Sequence, residues 1–181
     1  MLGCLLAAGC GNSRTPVPSL TRPAAAHGYR TLRFPAAGVS ISAPGGWPVI
    51  PERAPLVTVV TSGDAVIALW HFPRPQAPPA SAAALSAARN SLFAAVRIRR
   101  GSVRVSSSRI TRVDGAPTIE FNALESIAGR RRQVLSTHVF TAGGEVVLEE
   151  YAPPRTFTSI HRQLFARVRS SLAVIGASGS R

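Results

Sequence analysis

The chain has 181 residues, 45% of them hydrophobic, a size and balance that suit one globular domain with a packed core. Its 21 basic residues, all of them arginine, outnumber 8 acidic ones and give a net charge of +13, which favours anionic partners. Both cysteines lie within the first ten residues, which excludes a disulfide framework, and no apolar run reaches the ~18 residues of a membrane-spanning helix.

The first ten residues resemble a lipobox, the signal at which bacteria attach lipid to a cysteine. Two small residues precede Cys10, whose thiol would accept a diacylglycerol, although Ala7 stands where leucine is usual. Residues 1–9 lack the basic stretch and the full apolar run of an export signal. We therefore interpret them as a truncated lipoprotein signal peptide, expect the natural start to lie upstream, and predict lipidation at Cys10. A chance Gly-Cys pair is the alternative.

The next segment, residues 10–28, is rich in proline, alanine and small polar residues. Such a composition buries too little apolar surface to fold, so we predict a flexible tether. A single domain is then predicted over residues 29–175 and a disordered tail over residues 176–181.

Alternating apolar residues broken by turn signals predict two pairs of strands at the start of the domain. The first pair is Thr31–Phe34 and Val39–Ser42, and proline and glycine end it. The second pair is Leu56–Thr61 and Ala65–Phe72, joined by a turn over residues 62–64. Both pairs are of the hairpin type.

An alanine-rich segment predicts the first helix. Ser81 is a suitable N-cap and Gly101 a natural stop, with Leu85, Leu92 and Val96 at helical spacing between them. The following segments alternate and are separated by short turns, which predicts an antiparallel meander. Its four strands are Val103–Val113, Pro117–Ser126, Gln133–Thr141 and Glu145–Tyr151.

The last element shows the clearest periodicity. Apolar residues between Phe157 and Leu172 recur on one helical face for about four turns. Successive strands with helices set apart from them predict an α+β fold. The expected architecture is an antiparallel sheet of two hairpin-type strand pairs and a four-strand meander, packed with two α-helices.

This order of elements resembles the PsbP-like fold, which photosystem PsbP proteins share with bacterial lipoproteins of the LpqN and DcrB types. The resemblance is carried by Val39–Trp47, by the hairpin at Asp114–Pro117, and by Tyr151–Pro153 followed by the helix over Phe157–Leu172. It covers residues 29–175. It implies a binding or scaffolding protein, often in an assembly at a membrane, with no shared catalytic residues to carry over.

Four aromatic side chains with a polar tip are candidates for lining a binding pocket. Residues of this kind often anchor ligands, and they also serve as core residues with one polar group to satisfy. Both interpretations stay open for these four, which are Trp47, Trp70, His71 and Tyr151.

The densest basic stretch runs from the first helix into the meander and contains Arg97, Arg99, Arg100 and Arg104. It could meet an anionic lipid, an anionic wall polymer or an envelope protein, beside the membrane contact made by the lipid anchor. No aromatic residue is interleaved with these arginines, which argues against nucleic acid. A solvated basic surface with no dedicated ligand is the alternative.

No motif for a catalytic, cofactor or metal site emerges from the sequence. The glutamates of the meander are expected to pair across strands with Arg130–Arg132, and the four histidines do not stand at metal-ligand spacing. We therefore predict a non-enzymatic cell-envelope lipoprotein, exported and anchored at the extracytoplasmic face of the membrane, that acts as a binding or scaffolding module. The alternatives are a hydrolase on the same scaffold and a basic protein that binds polyanions or nucleic acid.

Overall fold

A computed structural model describes residues 21–99 and 103–175 and shows an α+β fold with two antiparallel sheets. The smaller sheet has three strands in the order β1-β2-β10. The larger sheet has seven strands in the order β3-β4-β5-β9-β8-β7-β6. The strands are β1 Tyr29–Phe34, β2 Val39–Pro44, β3 Val49–Pro51, β4 Leu56–Ser62, β5 Ala65–Phe72, β6 Arg104–Val113, β7 Ala116–Ile127, β8 Arg130–Thr141, β9 Gly144–Ala152 and β10 Ala173–Val174.

The second predicted hairpin, β4–β5, and the meander form one continuous sheet because β5 pairs with β9, as in the register Leu69↔Leu148. The first predicted hairpin, β1–β2, lies in the smaller sheet instead, since β2 pairs with β10. The predicted antiparallel meander of β6 to β9 is confirmed. Two strands were missed in the sequence. Strand β3 has three residues and ends in Pro51, and β10 has two residues, so neither is long enough to show an alternating pattern.

Two tight turns set the register of the meander. Asp114 and Gly115 have φ angles of 48° and 80°, and Ala128 and Gly129 have 49° and 73°. Positive φ at both central residues suits the right-handed twist of the strands that the turn joins. Asp114 has a second role, since its carboxylate accepts a hydrogen bond from the backbone N–H of Val174, at 2.9 Å. The turn thus ties the meander to β10.

The C-terminal helix consists of α2 (Pro154–Ile160), a π-helical turn (His161–Phe165) and α3 (Ala166–Ser170). It covers one face of the seven-stranded sheet, and its buried residues share one core with β1, β2 and alternate residues of β5, β8 and β9. We call this side of the sheet the closed face. Its largest fully buried side chains include Trp47, Phe165 and Leu69.

The other face of the seven-stranded sheet is covered by α1 (Ala82–Arg99). As predicted, Ser81 caps this helix, since its Oγ accepts a hydrogen bond from the backbone N–H of Ala84 at 3.1 Å. The buried apolar cluster here is small, with Leu85, Ile119 and Phe140 at its centre. We call this side the open face. No helix of the described residues is both long and apolar enough to cross a membrane.

The segment over residues 21–28, placed in the tether by its composition, is attached to the domain. The turn between β4 and β5 holds its start, since the Asp64 N–H donates to Thr21 O at 3.0 Å. The segment also forms a backbone pair with the loop after β2, where His27 N–H donates to Gly45 O at 3.1 Å. Hydrogen bonds to the backbone, which composition does not reveal, therefore attach residues from Thr21 onward to the domain that was predicted to begin at Tyr29. The remainder of the predicted tether lies outside the described residues, as do residues 1–9 and 176–181.

Candidate functional site

A cavity of about 740 Å³ lies between α1 and the open face of the sheet. This volume falls within the ~300–1,000 Å³ typical of small-molecule sites. Its walls are largely apolar and aromatic, with a few polar groups on the strands. The aromatic and aliphatic lining includes Trp70, Phe72, Phe121, Phe140, Val96 and Val147.

The alternation of strand residues decides which side chains reach the cavity. On β9, Glu145, Val147 and Glu149 line it, while the residues between them point to the closed face. Strand β8 contributes His138 and Phe140 in the same way. Side chains two apart in sequence therefore stand side by side on the cavity floor.

Trp70 is the polar-tipped aromatic side chain that the cavity exposes. Its ring stacks on Phe72 with 6.3 Å between centroids. Its indole Nε1 is buried and has no hydrogen-bond partner among the described residues. An unpaired buried donor costs about 1–3 kcal/mol, so a ligand that turns the indole ring toward the cavity and accepts a hydrogen bond from it would recover that free energy.

A chain of hydrogen bonds runs along the cavity floor. Ser136 Oγ lies 2.9 Å from His138 Nε2, and His138 Nδ1 lies 2.6 Å from Glu145 Oε1. The chain continues to Arg74, whose Nε is 3.2 Å from the other oxygen of Glu145. Phe121 stacks on the His138 ring at 5.3 Å and fixes its plane. Burial alone would raise the pKa of Glu145, but the hydrogen bond from His138 and the charges of His138 and Arg74 outweigh it and hold that pKa below its usual value.

This chain has the order of a Ser-His-acid triad, yet Ser136 is fully buried. A substrate carbonyl cannot reach a hydroxyl that has no solvent exposure. Strand β8 also lies between β7 and β9, and its backbone N–H groups are used in the sheet rather than offered to an oxyanion. The chain therefore suits a role in holding His138 and Glu145 in position beside the cavity.

Two other buried carboxylates, those of Glu120 and Glu150, lie on the closed face. Glu120 forms ion pairs with Arg109 and Arg169, and the Arg169 Nη1 is 2.9 Å from its Oε1. Glu150 is 1% exposed and neither of its oxygens has a hydrogen-bond partner among the described residues. Burial raises the pKa of Glu150 well above its usual value, although the charge of Arg169 opposes this. The carboxyl group is therefore stabilised in its neutral form.

Two of the arginines expected to pair with meander glutamates, Arg130 and Arg132, contact Asp64 in the turn between β4 and β5. Arg132 donates to Asp64 at 3.1 Å, and Arg130 lies 3.7 Å from the same oxygen. The pairing of β5 with β9 brings the β4–β5 turn close to the start of β8, and this long-range contact is not visible in the sequence. Across residues 21–99 and 103–175, no cluster of three His, Cys, Asp or Glu side chains could hold a metal ion.

The four aromatic candidates do not form one pocket. Trp70 lines the cavity, whereas Trp47 is 1% exposed in the closed-face core and donates its indole N–H to Ala24 O at 3.0 Å. His71 points away from the cavity, with Nε2 3.2 Å from Gly143 O. Tyr151 is half-buried near the end of β9 and does not line the cavity. For Trp47 the core alternative is correct.

The predicted basic stretch is only partly described. Arg104 begins β6 and is exposed, away from the cavity lining. Arg97 and Arg99 belong to α1, but their side chains lie outside the described part of the molecule. Arg100 and Cys10 also lie outside it.

Sequence reasoning missed the residues that shape the cavity floor. Phe121, His138 and Glu145 belong to three different strands, and Arg74 follows a fourth. The alternation in the meander contained part of the signal, because a tight turn at residues 142–143 places β8 and β9 side by side. Counting outward from that turn would have brought Phe140 opposite Glu145.

The fold is similar to that of several solved structures. PsbP (CyanoP) from Synechocystis sp. PCC 6803 superposes with a TM-score of 0.62 at 13% identity, over 92% of this chain and 98% of that one. LpqN, described as involved in cell envelope biogenesis of Mycobacterium tuberculosis, superposes with a TM-score of 0.50 at 14% identity, over 85% of this chain and 90% of that one. No protein-family model and no curated protein matches the sequence.

These identities are far too low to transfer a function, but the superpositions extend over nearly the whole chain. They agree with the order of strands and helices that suggested the resemblance in the sequence. The chain therefore has a PsbP-like fold.

Proposed function

We propose that the protein is a non-enzymatic lipoprotein of the cell envelope, anchored to the membrane through Cys10, and that its domain binds a small ligand. The observation that supports ligand binding is the cavity of about 740 Å³ on the open face, lined by Trp70, whose buried indole N–H is unpaired. A fully packed core would not leave a volume of this size.

The lining indicates the chemistry of the ligand. Aromatic side chains favour an apolar body, and the Trp70 N–H calls for an acceptor such as a carbonyl, carboxylate or sulfonate oxygen. Arg74 stands at the rim, with its guanidinium 5.6 Å from the Phe140 ring centroid. A guanidinium has five N–H donors, and its Nε is engaged with Glu145, so an anionic acceptor group fits this end of the cavity.

Ligand binding can be tested with anilinonaphthalene sulfonate, an apolar dye with an anionic acceptor. The full chain is titrated with the dye and compared with two variants of α1. Ala95 lines the cavity and Ala94 is exposed, so Ala95→Phe fills the space while Ala94→Phe leaves it open. We expect Ala95→Phe to weaken binding about tenfold or more, a loss of ~1.4 kcal/mol, and Ala94→Phe to change it less than twofold. Equal affinities in the two variants, or no saturable binding to the parent, would reject the cavity as the site.

Anchoring can be tested by radiolabelled palmitate incorporation in a bacterial host, with expression from the natural gene start. The two cysteines provide a matched pair, since Cys4 and Cys10 lie six residues apart. Cys10→Ser is expected to abolish labelling and Cys4→Ser to leave it unchanged. Labelling of the Cys10→Ser chain at the parent level would contradict the anchor.

A hydrolase is the second candidate, and the hydrogen-bond order Ser136–His138–Glu145 is the observation that favours it. The full burial of Ser136 opposes it. A fluorophosphonate probe, which labels activated serines, decides between the two. We expect no labelling of the parent chain. Labelling that disappears in Ser136→Ala would establish the hydrolase instead.

A further inference from the structure

A second depression, a groove of about 880 Å³, lies between the segment over residues 21–26 and the C-terminal helix. It is distinct from the cavity under α1 and lies on the other side of the sheet. Its lining is polar and basic, with Arg22 from the N-terminal segment and Arg155 and Arg167 from the helix. All three arginines are exposed. We call this feature the basic groove.

The charge of the basic groove is uncompensated. No carboxylate of the described residues lies within salt-bridge distance of Arg22, Arg155 or Arg167. One acidic side chain, Asp64, lines the groove, and Arg130 and Arg132 already contact its carboxylate. An anion would therefore meet three unpaired guanidinium groups and one carboxylate that is already paired.

The groove also has a fixed shape, because contacts within the domain hold both of its walls in place. The Arg167 guanidinium lies over the Tyr29 ring, 4.1 Å from its centroid, which holds it at the groove wall. The opposite wall is fixed by hydrogen bonds, since Ala24 N–H donates to Ser62 Oγ at 2.9 Å. Ser159 and Gln163 add a hydroxyl and an amide to the lining.

The position of the groove along the chain points to its partner. The described domain begins at Thr21, which is itself a lining residue, and ten residues separate it from Cys10. A chain of eleven steps spans at most ~40 Å, so an acylated Cys10 keeps this face of the domain near the membrane surface. Because the groove adjoins the point where the anchor segment joins the domain, phospholipid head groups are the nearest anions to it.

We infer that the basic groove, through Arg22, Arg155 and Arg167, binds the phosphate of anionic phospholipid head groups in the membrane that carries the anchor. This inference rests on the anchoring proposed above. It differs from the predicted basic stretch, which placed the anionic surface at Arg97–Arg104. Each guanidinium can donate two hydrogen bonds to one phosphate. Phosphatidylcholine also has a phosphate, but its choline cation cancels that charge and repels the arginines, so a head group with net negative charge is favoured.

The test is cosedimentation of the non-acylated full chain, as the Cys10→Ser variant, with vesicles. One vesicle set contains phosphatidylglycerol in phosphatidylcholine and the other contains phosphatidylcholine alone. In that background, Arg22→Gln, Arg155→Gln and Arg167→Gln are combined. The control combines Arg33→Gln, Arg53→Gln and Arg112→Gln, which removes the same charge from exposed residues outside both the groove and the predicted basic stretch. Thermal melting establishes that both variants fold.

We expect the parent to bind only the anionic vesicles. Each basic side chain near an anionic surface strengthens binding about fivefold, so the groove variant should bind about 100-fold more weakly, and the control variant within about fivefold of the parent. Equal loss in both variants would show that net charge alone drives binding and would overturn the inference. Binding to neutral vesicles, or no binding by the parent to either vesicle set, would also overturn the inference. Full competition by inorganic phosphate at constant ionic strength would overturn it as well, because it would indicate a site for a free anion.

The anchor at Cys10 and the basic groove can be rejected independently of each other. The vesicle assay uses chains without acyl groups and does not involve the cavity, so neither palmitate labelling nor dye binding affects its outcome. Loss of labelling with retained vesicle binding would reject the anchor alone. Labelling at Cys10 without vesicle binding would reject the groove alone.

Discussion

The two faces of the seven-stranded sheet are made from the same strands but have different packing. The closed face is filled by the C-terminal helix and by β1 and β2, and its core includes fully buried Phe165 and Trp47. The open face has α1 and a cluster of three buried apolar residues, and it retains a cavity of about 740 Å³. The contrast indicates that one face stabilises the domain while the other leaves room for a ligand.

The difference in packing can be measured with two phenylalanines of equal size. Phe165 on the closed face is 0% exposed and Phe121 on the open face is 5% exposed. Phe165→Ala is expected to lower the free energy of unfolding by about 3–5 kcal/mol because it leaves a new void among packed neighbours. Phe121→Ala is expected to cost at least about 1 kcal/mol less, since its ring already borders empty space.

Urea denaturation of both variants and the parent gives the two values directly. Equal costs would show that the cavity wall is packed as tightly as the closed core, and the functional contrast between the faces would lose its physical basis. A larger cost for Phe121→Ala would reverse the assignment.

The ionic chain on the open face is the next largest contribution. Glu145 contacts His138 and Arg74, and Glu145→Gln removes the charge while keeping the shape. At neutral pH we expect a loss of about 1–3 kcal/mol in the free energy of unfolding, because hydrogen bonds to a charged group are replaced by weaker ones.

The contribution of Glu145 to the free energy of unfolding should depend on pH in a definite direction. The pKa of Glu145 is lower in the folded protein than in the unfolded chain, so its contribution is present above the unfolded pKa and is lost as pH falls through the folded value. The difference in the free energy of unfolding between the parent and Glu145→Gln should therefore become smaller at acidic pH. Urea titrations at neutral and acidic pH check this, and a gap that widens in acid would contradict it.

The closed face contains a carboxyl group that behaves in the opposite way. Burial raises the pKa of Glu150 in the folded state, and the nearby Glu120 charge adds to the effect while Arg169 opposes it. Its stabilising contribution is therefore full below the unfolded pKa and is lost as pH rises through the folded value. Glu150→Gln, which stays neutral, should be more stable than the parent at alkaline pH and close to it in mild acid.

The pH dependence of stability around Glu150 also reflects the other charged groups on the closed face. Arg109 and Arg169 pair with Glu120 on the same face, and His161 lies on the π-helical turn with its pKa lowered by burial. A His161→Gln control separates its titration from that of Glu150. If the stability of the Glu150→Gln chain falls with alkaline pH as steeply as that of the parent, Glu150 is not the group responsible.

Sequence patterns predicted the layout of both faces but not what lies on them. Ser81, the Asp114-Gly115 turn and the helical stripe from Phe157 are local signals, and each appears in the structure where expected. The cavity floor requires the pairing of β5 with β9, which joins segments about 80 residues apart and has no local signature. The attachment of residues 21–28 was missed for a similar reason, since it rests on backbone hydrogen bonds to distant loops.

Among the four aromatic candidates, the sequence could not separate Trp47, which follows a Pro-Gly-Gly turn, from Trp70, which follows an apolar run, because neither pattern shows what the indole N–H contacts. The two residues differ in whether the indole N–H has a hydrogen-bond acceptor. Trp47 donates to Ala24 O and completes the closed core, whereas Trp70 has no acceptor in the described structure. The partner of Trp47 comes from the segment that composition assigned to the tether, so its role could not be deduced before that segment was placed.

The smallest expected effect is the most specific to the open face. Trp70→Phe removes the unpaired donor and keeps an aromatic ring, so without ligand the free energy of unfolding should stay equal to that of the parent or rise by up to about 1 kcal/mol. Trp47→Phe removes a satisfied donor and should lower it by about 1 kcal/mol. Binding of anilinonaphthalene sulfonate should show the opposite ranking of the two variants. Trp70→Phe should bind the dye more weakly than the parent because it loses the hydrogen bond to the dye, whereas Trp47→Phe should bind it as tightly as the parent. If Trp70→Phe binds the dye as tightly as the parent, its indole N–H is not the polar anchor of the cavity, and Arg74 alone must fulfil that role.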